Sequence, residues 1–416
     1  MRCKSTPPFR FLVSRRLCCS PGMKQARLFF MSKFSVPIKR IRQIEPHPNA
    51  DAIEFAVIDG YRSIVKKGEF QSGDLIAYIP EASLLPQWLL KKLNFWNAEK
   101  GVGRLNGKDG NRITAIKLRG ELSQGVCYPV RMDGDTAVIE HSDGDSELMR
   151  SSPVEEGQCV AELLGVEKYE PPIPTSMAGD IFNAGQRLTV HFDVENWKSY
   201  PDILQDGEEV VFTEKLHGTF TGVAILPEKD AHQEAFGVKR NVLIFSKGLG
   251  AKGLVLANTD GNSANVYVRA TTGMVAVIDA LLASGELRVE DEPLFILGET
   301  FGPGVQDLAY GKDLGFRLFA LASGYRGAQR YHDFDALQAM AEQLGVQTVP
   351  ILYRGPFSQE VMREHTDGAT KLDADHIREG IVITPTKERR DPELGRVCLK
   401  SVSAAYLCRK GGTEFS

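Results

Sequence analysis

The chain is expected to fold as two domains, a small closed β-barrel followed by an α+β domain of largely antiparallel sheet. Its 416 residues exceed one ordinary core, since domains take about 100–200 residues each. In the first part, short apolar runs are split by turn signals at roughly 8–12-residue spacing, which suits a barrel. Beyond a proline-rich stretch, strand-like runs alternate irregularly with helical ones, and strands without regular helical crossovers indicate antiparallel sheet.

Composition narrows the class. With 42% hydrophobic and 25% charged residues, the chain is globular and not disordered, collagenous or mucin-like. No apolar run reaches the ~18 residues of a spanning helix, so no membrane partner is expected. Fifty Lys+Arg against 54 Asp+Glu leave −4, so a polyanion must be held by local cationic sites and not by a global field. Seven cysteines, an odd count without a CxxC pair, argue for reduced thiols and against a disulfide scaffold or zinc ribbon.

Residues 1–30 carry Arg2, Lys4, Arg10, Arg15, Arg16, Lys24 and Arg27 with no carboxylate. Such a leader suits an organellar transit peptide; the blander reading is an over-extended start, with Met31 opening a normal-looking segment. A cytoplasmic location is expected, with organellar import if the leader is real. Residues 31–166 form the barrel. AVIDGYRSIVKKGEFQSGDLIAYIP reads as three strands around an Asp59-Gly60 turn and a second glycine turn, and RITAIKLRGELSQGVCYPV adds two more. Residues 167–185 are a connector stiffened by Pro171, Pro172 and Pro174. Residues 186–416 form the second domain. VVFTEKLHG, NVLIFSKG, LFILGETFG, FRLFAL, EGIVITP and RVCLKSVS read as strands. MVAVIDALLASG and DFDALQAMAEQLG read as helices, the second with Asp333 as N-cap and Gly345 as stop.

Charges stand where these strands should be apolar. Lys215 follows VVFTE, Glu299 follows LFILG, Glu379 precedes GIVI and Lys400 follows RVCL. Taken singly, each is an ordinary cross-strand surface charge. Together, two lysines and two carboxylates at costly positions suit one anionic, metal-bearing ligand.

The run around Lys215 is Thr-Glu-Lys-Leu-His-Gly-Thr, residues 213–219. KLHG resembles the nucleotidyl-lysine motif KxxG of ATP-dependent DNA ligases, RNA ligases and mRNA capping enzymes, and EKLHGT is similar to the RNA-ligase-2 kind that seals nicks in duplex RNA. KxxG alone is weak. The ordered series that follows carries the resemblance: Ser246-Lys247-Gly248, Gly298-Glu299-Thr300-Phe301-Gly302, Phe316-Arg317-Leu318-Phe319, Glu379-Gly380-Ile381-Val382-Ile383 and Leu399-Lys400-Ser401. In the barrel, IEPHPNADAIEFAVIDG, residues 44–60, resembles the HPNAD signature of OB-fold tRNA-binding modules. An N-terminal OB module before a ligase core is the layout of Deinococcus-type RNA ligases. Thirteen residues follow Ser403, so the C-terminal helical domain of other nick-sealing ligases is expected to be absent.

The resemblance implies an OB-fold barrel followed by a covalent nucleotidyltransferase domain. It implies joining of 3′-OH to 5′-phosphate ends on RNA or RNA/DNA hybrid, with ATP and Mg²⁺ (or Mn²⁺) as cofactors and no protein partner evident. Lys215 would be the AMP-carrying nucleophile and Lys400 would contact the α-phosphate. Glu299 would accept from the ribose hydroxyls, and Glu379 would hold the metal. Phe319, at the family's twenty-residue spacing from Glu299, would stack on adenine in preference to Phe316, which reads as core. Glu214 would meet the adenine edge, His217 would make a catalytic contact near the phosphates, and Lys247 would hold a phosphate.

Two positions depart from the family. Val402 stands where a second lysine is usual, and Thr384 where a lysine often follows EGxVx, so Arg396 or Lys387 would supply phosphate contacts. GLGAKG, residues 248–253, satisfies GxGxxG but lacks a crossover unit, so no dinucleotide site is expected. Rival readings are a DNA ligase, a GTP-using capping enzyme, and a non-catalytic RNA-binding OB protein. EKLHGT in place of KxDG, and no OB domain after the core, weigh against the first two. Lys66, Lys67, Lys117 and Arg119 are the barrel's candidate strand-docking cations, each also readable as plain surface charge.

Overall fold

In a computed structural model the described residues are 34–142, 148–231, 241–372, 375–409 and 412. The basic leader, and the import expectation attached to it, lie outside them.

One bent stretch serves both halves of the barrel. Ile38–Arg40 pairs antiparallel with Leu75–Ile79, which pairs in turn with Val126–Pro129. After the bend, Gln43–Pro46 pairs with Ile53–Ile58, and that strand with Tyr61–Lys66. Asp59, in the left-handed region at φ 51°, opens the two-residue turn expected at Asp59-Gly60. The two sheets are stitched where Gln124 N–H donates to Arg62 O at 3.0 Å and Ile64 N–H to Ser123 Oγ at 2.9 Å. Alternate side chains such as Ala56, Ile58, Val65 and Ile76 fill the interior between the two sheets, while Ile38 and Tyr128 on the opposite face join a second core; fully burying an aliphatic side chain contributes about 1.5–3 kcal/mol. RITAIKLRGELSQGVCYPV holds three strands and not two, because Arg119 and Gly120, both at positive φ, fold Ile116–Leu118 and Glu121–Ser123 into their own hairpin. His47 of HPNAD fixes that hairpin: its ring stacks on Phe55 at 5.1 Å, and its Nε2 lies 3.3 Å from Leu118 O.

The second domain has two sheets. The larger runs in the spatial order Ile181–Asn183, Leu254–Leu256, Val242–Ser246, Thr219–Ile225, Leu294–Phe301, Gly315–Ser323, Arg330–Tyr331, antiparallel throughout. The smaller runs Glu195–Asn196, Leu399–Val402, Gly380–Pro385, Glu209–Lys215, Ile351–Pro356. Helix Val266–Ser284 is capped by the Asn265 side chain and stopped by left-handed Gly285. By length and composition it is apolar enough to cross a membrane, against the sequence expectation. It carries Arg269 and Asp279, and Met274, Val275 and Ile278 join the core of the larger sheet, as in a core helix. Helix Phe334–Gln343 packs Leu337, Met340 and Ala341 into the same core. Asp333 takes the N-cap position but makes no capping bond; its carboxylate accepts from Glu388 N–H and Lys387 Nζ, both at 2.8 Å.

The barrel docks beside the smaller sheet. Gly60 N–H donates to Lys198 O at 2.7 Å, and Tyr61 Oη lies 3.0 Å from Ser199 Oγ. A Cβ on Gly60 would sit 2.6 Å from Lys198 Cα, so only glycine permits this approach. The segment receiving these contacts follows directly on Glu195–Asn196, which pairs in parallel with Leu399 and Lys400.

Candidate active site

The expected nucleophile lies where the chain crosses between sheets. Lys215 ends a strand of the smaller sheet, and only Leu216, His217 and Gly218 separate it from Thr219–Ile225 at the centre of the larger one. This crossing explains the motif's glycine. A Cβ on Gly218 would stand 2.3 Å from Thr300 O and 2.8 Å from Glu299 Cγ, and a nearby Gly218 N–H favours the Glu299 carboxylate.

Register places the other charges. Thr213 lies across from Val382, and Val382 across from Lys400. With period-two alternation, Lys215 and Lys400 therefore project from one face, while Glu214, Ile381 and Ser401 share the other. Gly380 lies across from both Lys215 and Val402, so Val402 occupies the same face beside Lys215. Lys215 Nζ is 2.5 Å from Glu379 Oε1. Glu299 arrives from the larger sheet, directly across from Phe220. Although the residue is part-exposed, its carboxyl lies deep among protein atoms. Desolvation, with the Glu379 charge, pushes it up to about 8 against the pull of Lys215. Burial, then repulsion from Lys215 and Lys247, lowers Lys400.

Phe319 owes its place to a bulge. Leu297 pairs with Ala320 but Gly298 with Leu318, leaving Phe319 as the extra residue, and bulges re-aim side chains beside functional sites. It is half-buried against Phe192 and Phe220, with centroids 5.1 and 6.0 Å away. Phe316 is buried in the core, against Gly298. Glu214 is 1% exposed. Its Oε2 accepts from Lys371 N–H at 2.8 Å, while Oε1 has no partner. A buried acceptor without a donor is costly and suits a ligand N–H.

Three sequence expectations need correction. His217 reaches the site, but both ring nitrogens are taken, at 2.7 Å by Asp307 Oδ1 and at 2.7 Å by Tyr406 Oη. It works as a bracket here and not as a free phosphate contact; burial lowers its pKa. Lys387 pairs with Asp333 beyond the opposite end of its strand from Glu379, so it does not replace the missing lysine. Arg396 pairs with Glu388 through Nε and Nη2, with bonds of 3.0 and 2.5 Å, and lies 3.9 Å over the Tyr331 ring, while its buried Nη1 has no partner. Lys247 begins the short helix Lys247–Lys252 and pairs with Asp193; its charge acts on both Glu299 and Lys400. GLGAKG lies in that helix and the Gly253 turn that ends it, with no crossover unit. Asp307, Tyr310, Tyr406 and Arg409 escaped the sequence reading. Tyr310 Oη accepts from His217 N–H at 2.9 Å. None of the four lies in a strand or motif that would have marked it.

A lysine and a carboxylate in contact, beside a second lysine, a second carboxylate and an aromatic at a bulge, define a nucleotidyltransferase domain. Residues 208–402 match the family model described as RNA ligase, and residues 35–130 match an OB-fold domain. No curated protein sequence matches. Among solved structures, Naegleria gruberi RNA ligase with ATP and manganese is 25% identical, covering 89% of this chain and 97% of that one, with a TM-score of 0.66. The same ligase with AMP and manganese, and with pyrophosphate, is 26% identical at the same coverage and TM-score. By this match and these structures the chain carries an OB-fold domain ahead of an RNA-ligase nucleotidyltransferase domain, and it is similar to ATP-dependent RNA ligases.

Proposed function

We propose that the protein is an ATP-dependent RNA ligase that joins 3′-OH to 5′-phosphate ends at nicks in duplex RNA or RNA/DNA hybrid, in a Deinococcus-type layout and in the service of RNA repair. The observation that carries this reading is the convergence of Lys215, Glu379, Glu299 and Lys400 where the chain crosses between sheets, with the Lys215 amine 2.5 Å from Glu379.

Lys215 Nζ, once deprotonated, attacks the α-phosphorus of ATP. A P–N bond forms, the bond to the β-phosphate oxygen breaks, and pyrophosphate leaves. The phosphoramidate stays activated, so AMP passes to the RNA 5′-phosphate. The 3′-OH then attacks that phosphorus, releases AMP and closes the backbone. Lys400 neutralises charge building on the α-phosphate. Glu299 accepts from the ribose hydroxyls, Phe319 stacks on the adenine, and the free Glu214 oxygen accepts from the adenine amino group. Lys247 binds a phosphate when it releases Asp193.

Among the described residues no group of three or more His, Cys, Asp or Glu could hold a metal ion. Mg²⁺ commonly binds through one or two carboxylates and completes its shell with substrate phosphates, and the Glu379 carboxylate fits that use. When bound, Mg²⁺ or Mn²⁺ neutralises phosphate charge. The test compares end-joining of matched RNA and DNA nicks by the chain and by Lys215→Ala. Joined RNA product and an AMP adduct are expected from the first and neither from the variant; label retained from GTP alone would overturn the reading.

A further inference from the structure

We propose that the chain beyond its last strand is part of the active site. Tyr406 and Arg409, with Asp307, form a latch that fixes the His217 ring and, through it, the Glu379 carboxylate against the Lys215 amine. The inference rests on Lys215 being the nucleophile.

Segments far apart in sequence meet at one imidazole. An ionised carboxylate can only accept, so the 2.7 Å contact with Asp307 Oδ1 puts the ring proton on Nε2. Nδ1 is then an acceptor, and Tyr406 Oη donates to it. Arg409 grips Asp307 in turn, Nε to Oδ2 at 2.9 Å and Nη2 to Oδ1 at 3.1 Å. Its guanidinium lies 3.7 Å from the Tyr406 ring centroid, so the two tail residues brace each other. The tail meets Glu379 directly, Ser403 N–H donating to Glu379 O at 2.9 Å, and the ring packs beside the same residue, with Nδ1 3.8 Å from Glu379 Oε2, a contact and not a hydrogen bond.

The ring is 4% exposed, so a freed ring nitrogen would be costly. Packing alone would be served as well by an apolar side chain, without burying polar groups drawn from two distant segments. What the polar version adds is direction, because each bond sets the ring plane, and the ring is held with its Nδ1 edge against Glu379 Oε2 while Lys215 meets Oε1. Asp307, Tyr406 and Arg409 thus act through His217 and are positioning residues.

The test is single-turnover formation of lysyl-AMP on the full chain at varied ATP, with melting temperature measured alongside. Tyr406→Phe and Asp307→Ala are expected to slow the maximal rate about tenfold or more. The ATP concentration giving half-maximal rate should stay within about twofold and the melting temperature within a few degrees. Asp307→Asn, whose carbonyl still accepts from Nε2–H, should recover most of the loss, and Asp307→Ala should cost nothing more in a His217→Ala background. Wild-type rates in both variants overturn the latch, as does a loss confined to ATP affinity or melting temperature, or a further loss in the His217→Ala background. A wild-type chain that forms no adduct overturns the ligase reading and the latch with it, which separates the two failures.

Discussion

The barrel and the nucleotidyltransferase domain handle charge in opposite ways. In the barrel, Lys66, Lys67, Lys117 and Arg119 are exposed at the rim. Arg62 settles its charge locally, on Glu45 at 3.1 Å and over the Phe55 ring at 3.8 Å. In the second domain, Lys215, Glu379, Glu299 and Lys400 come to one place from strand ends of two sheets. There burial first, and neighbouring charges second, shift ionisation, Lys400 downward and Glu299 upward. Desolvating an ion costs several kcal/mol, and a surface has no reason to bear that cost. Convergence, and not the number of cations, therefore separates site from surface in a chain whose net charge is only −4.

The sharpest probe of that contrast is Lys400→Ala, which removes a cation from the convergent set. Lysyl-AMP formation followed by intact mass is expected to fall about 100-fold or more; a loss under threefold would mean that Lys400 is ordinary strand charge. Deleting residues 1–166 should act on the other half of the comparison. Sealing of a nick is expected to fall about tenfold or more, while adduct formation stays within about threefold, because the barrel would grip the strand and not the nucleotide. Full-rate sealing by the truncated chain would remove the docking role. Smaller still is Lys117→Glu with Arg119→Glu. A few-fold weaker RNA binding is expected, with a salt dependence shallower by about one to two ions, read from binding titrations at several salt concentrations.

How much of this could be read from residues alone depended on whether position came from pattern or from tertiary packing. Short apolar runs between turn signals placed most of the long strands, and the ordered motifs placed Lys215, Glu299, Glu379 and Lys400 relative to those strands as the structure has them. Strand Thr219–Ile225 went unseen because Thr219, Thr221 and Gly222 break up its apolar run, although all seven residues are buried as in a central strand. Spacing chose Phe319 over Phe316, but the bulge that aims it is a register shift between strands and leaves no trace in one sequence. The latch was invisible for a similar reason. Tyr406 sits in a four-residue helix and Arg409 just past it, too short for periodicity, and Asp307 lies between strands. Lys387 misled because nearness in sequence to a motif is not nearness in space, and the strand Gly380–Pro385 carries it away from Glu379.

The smallest effect tests whether the convergent set is held at a cost to folding. The Glu299 carboxyl is pushed up to about 8, by desolvation first and the Glu379 charge next, while in the unfolded chain it returns to the ordinary carboxylate range of about 4.3. The folded state then binds the extra proton between these values, so stability contributed by the neutral acid is complete below the lower one. It drains away as pH rises toward about 8 and is gone above it. Glu299→Gln keeps the shape and cannot ionise. Its melting temperature should match that of the wild type near pH 4, gain steadily up to about pH 8 by a few degrees, and hold that lead at higher pH. A constant difference across that range would mean that Glu299 ionises as freely as the barrel's surface acids, and the contrast between the two domains would lose its energetic basis.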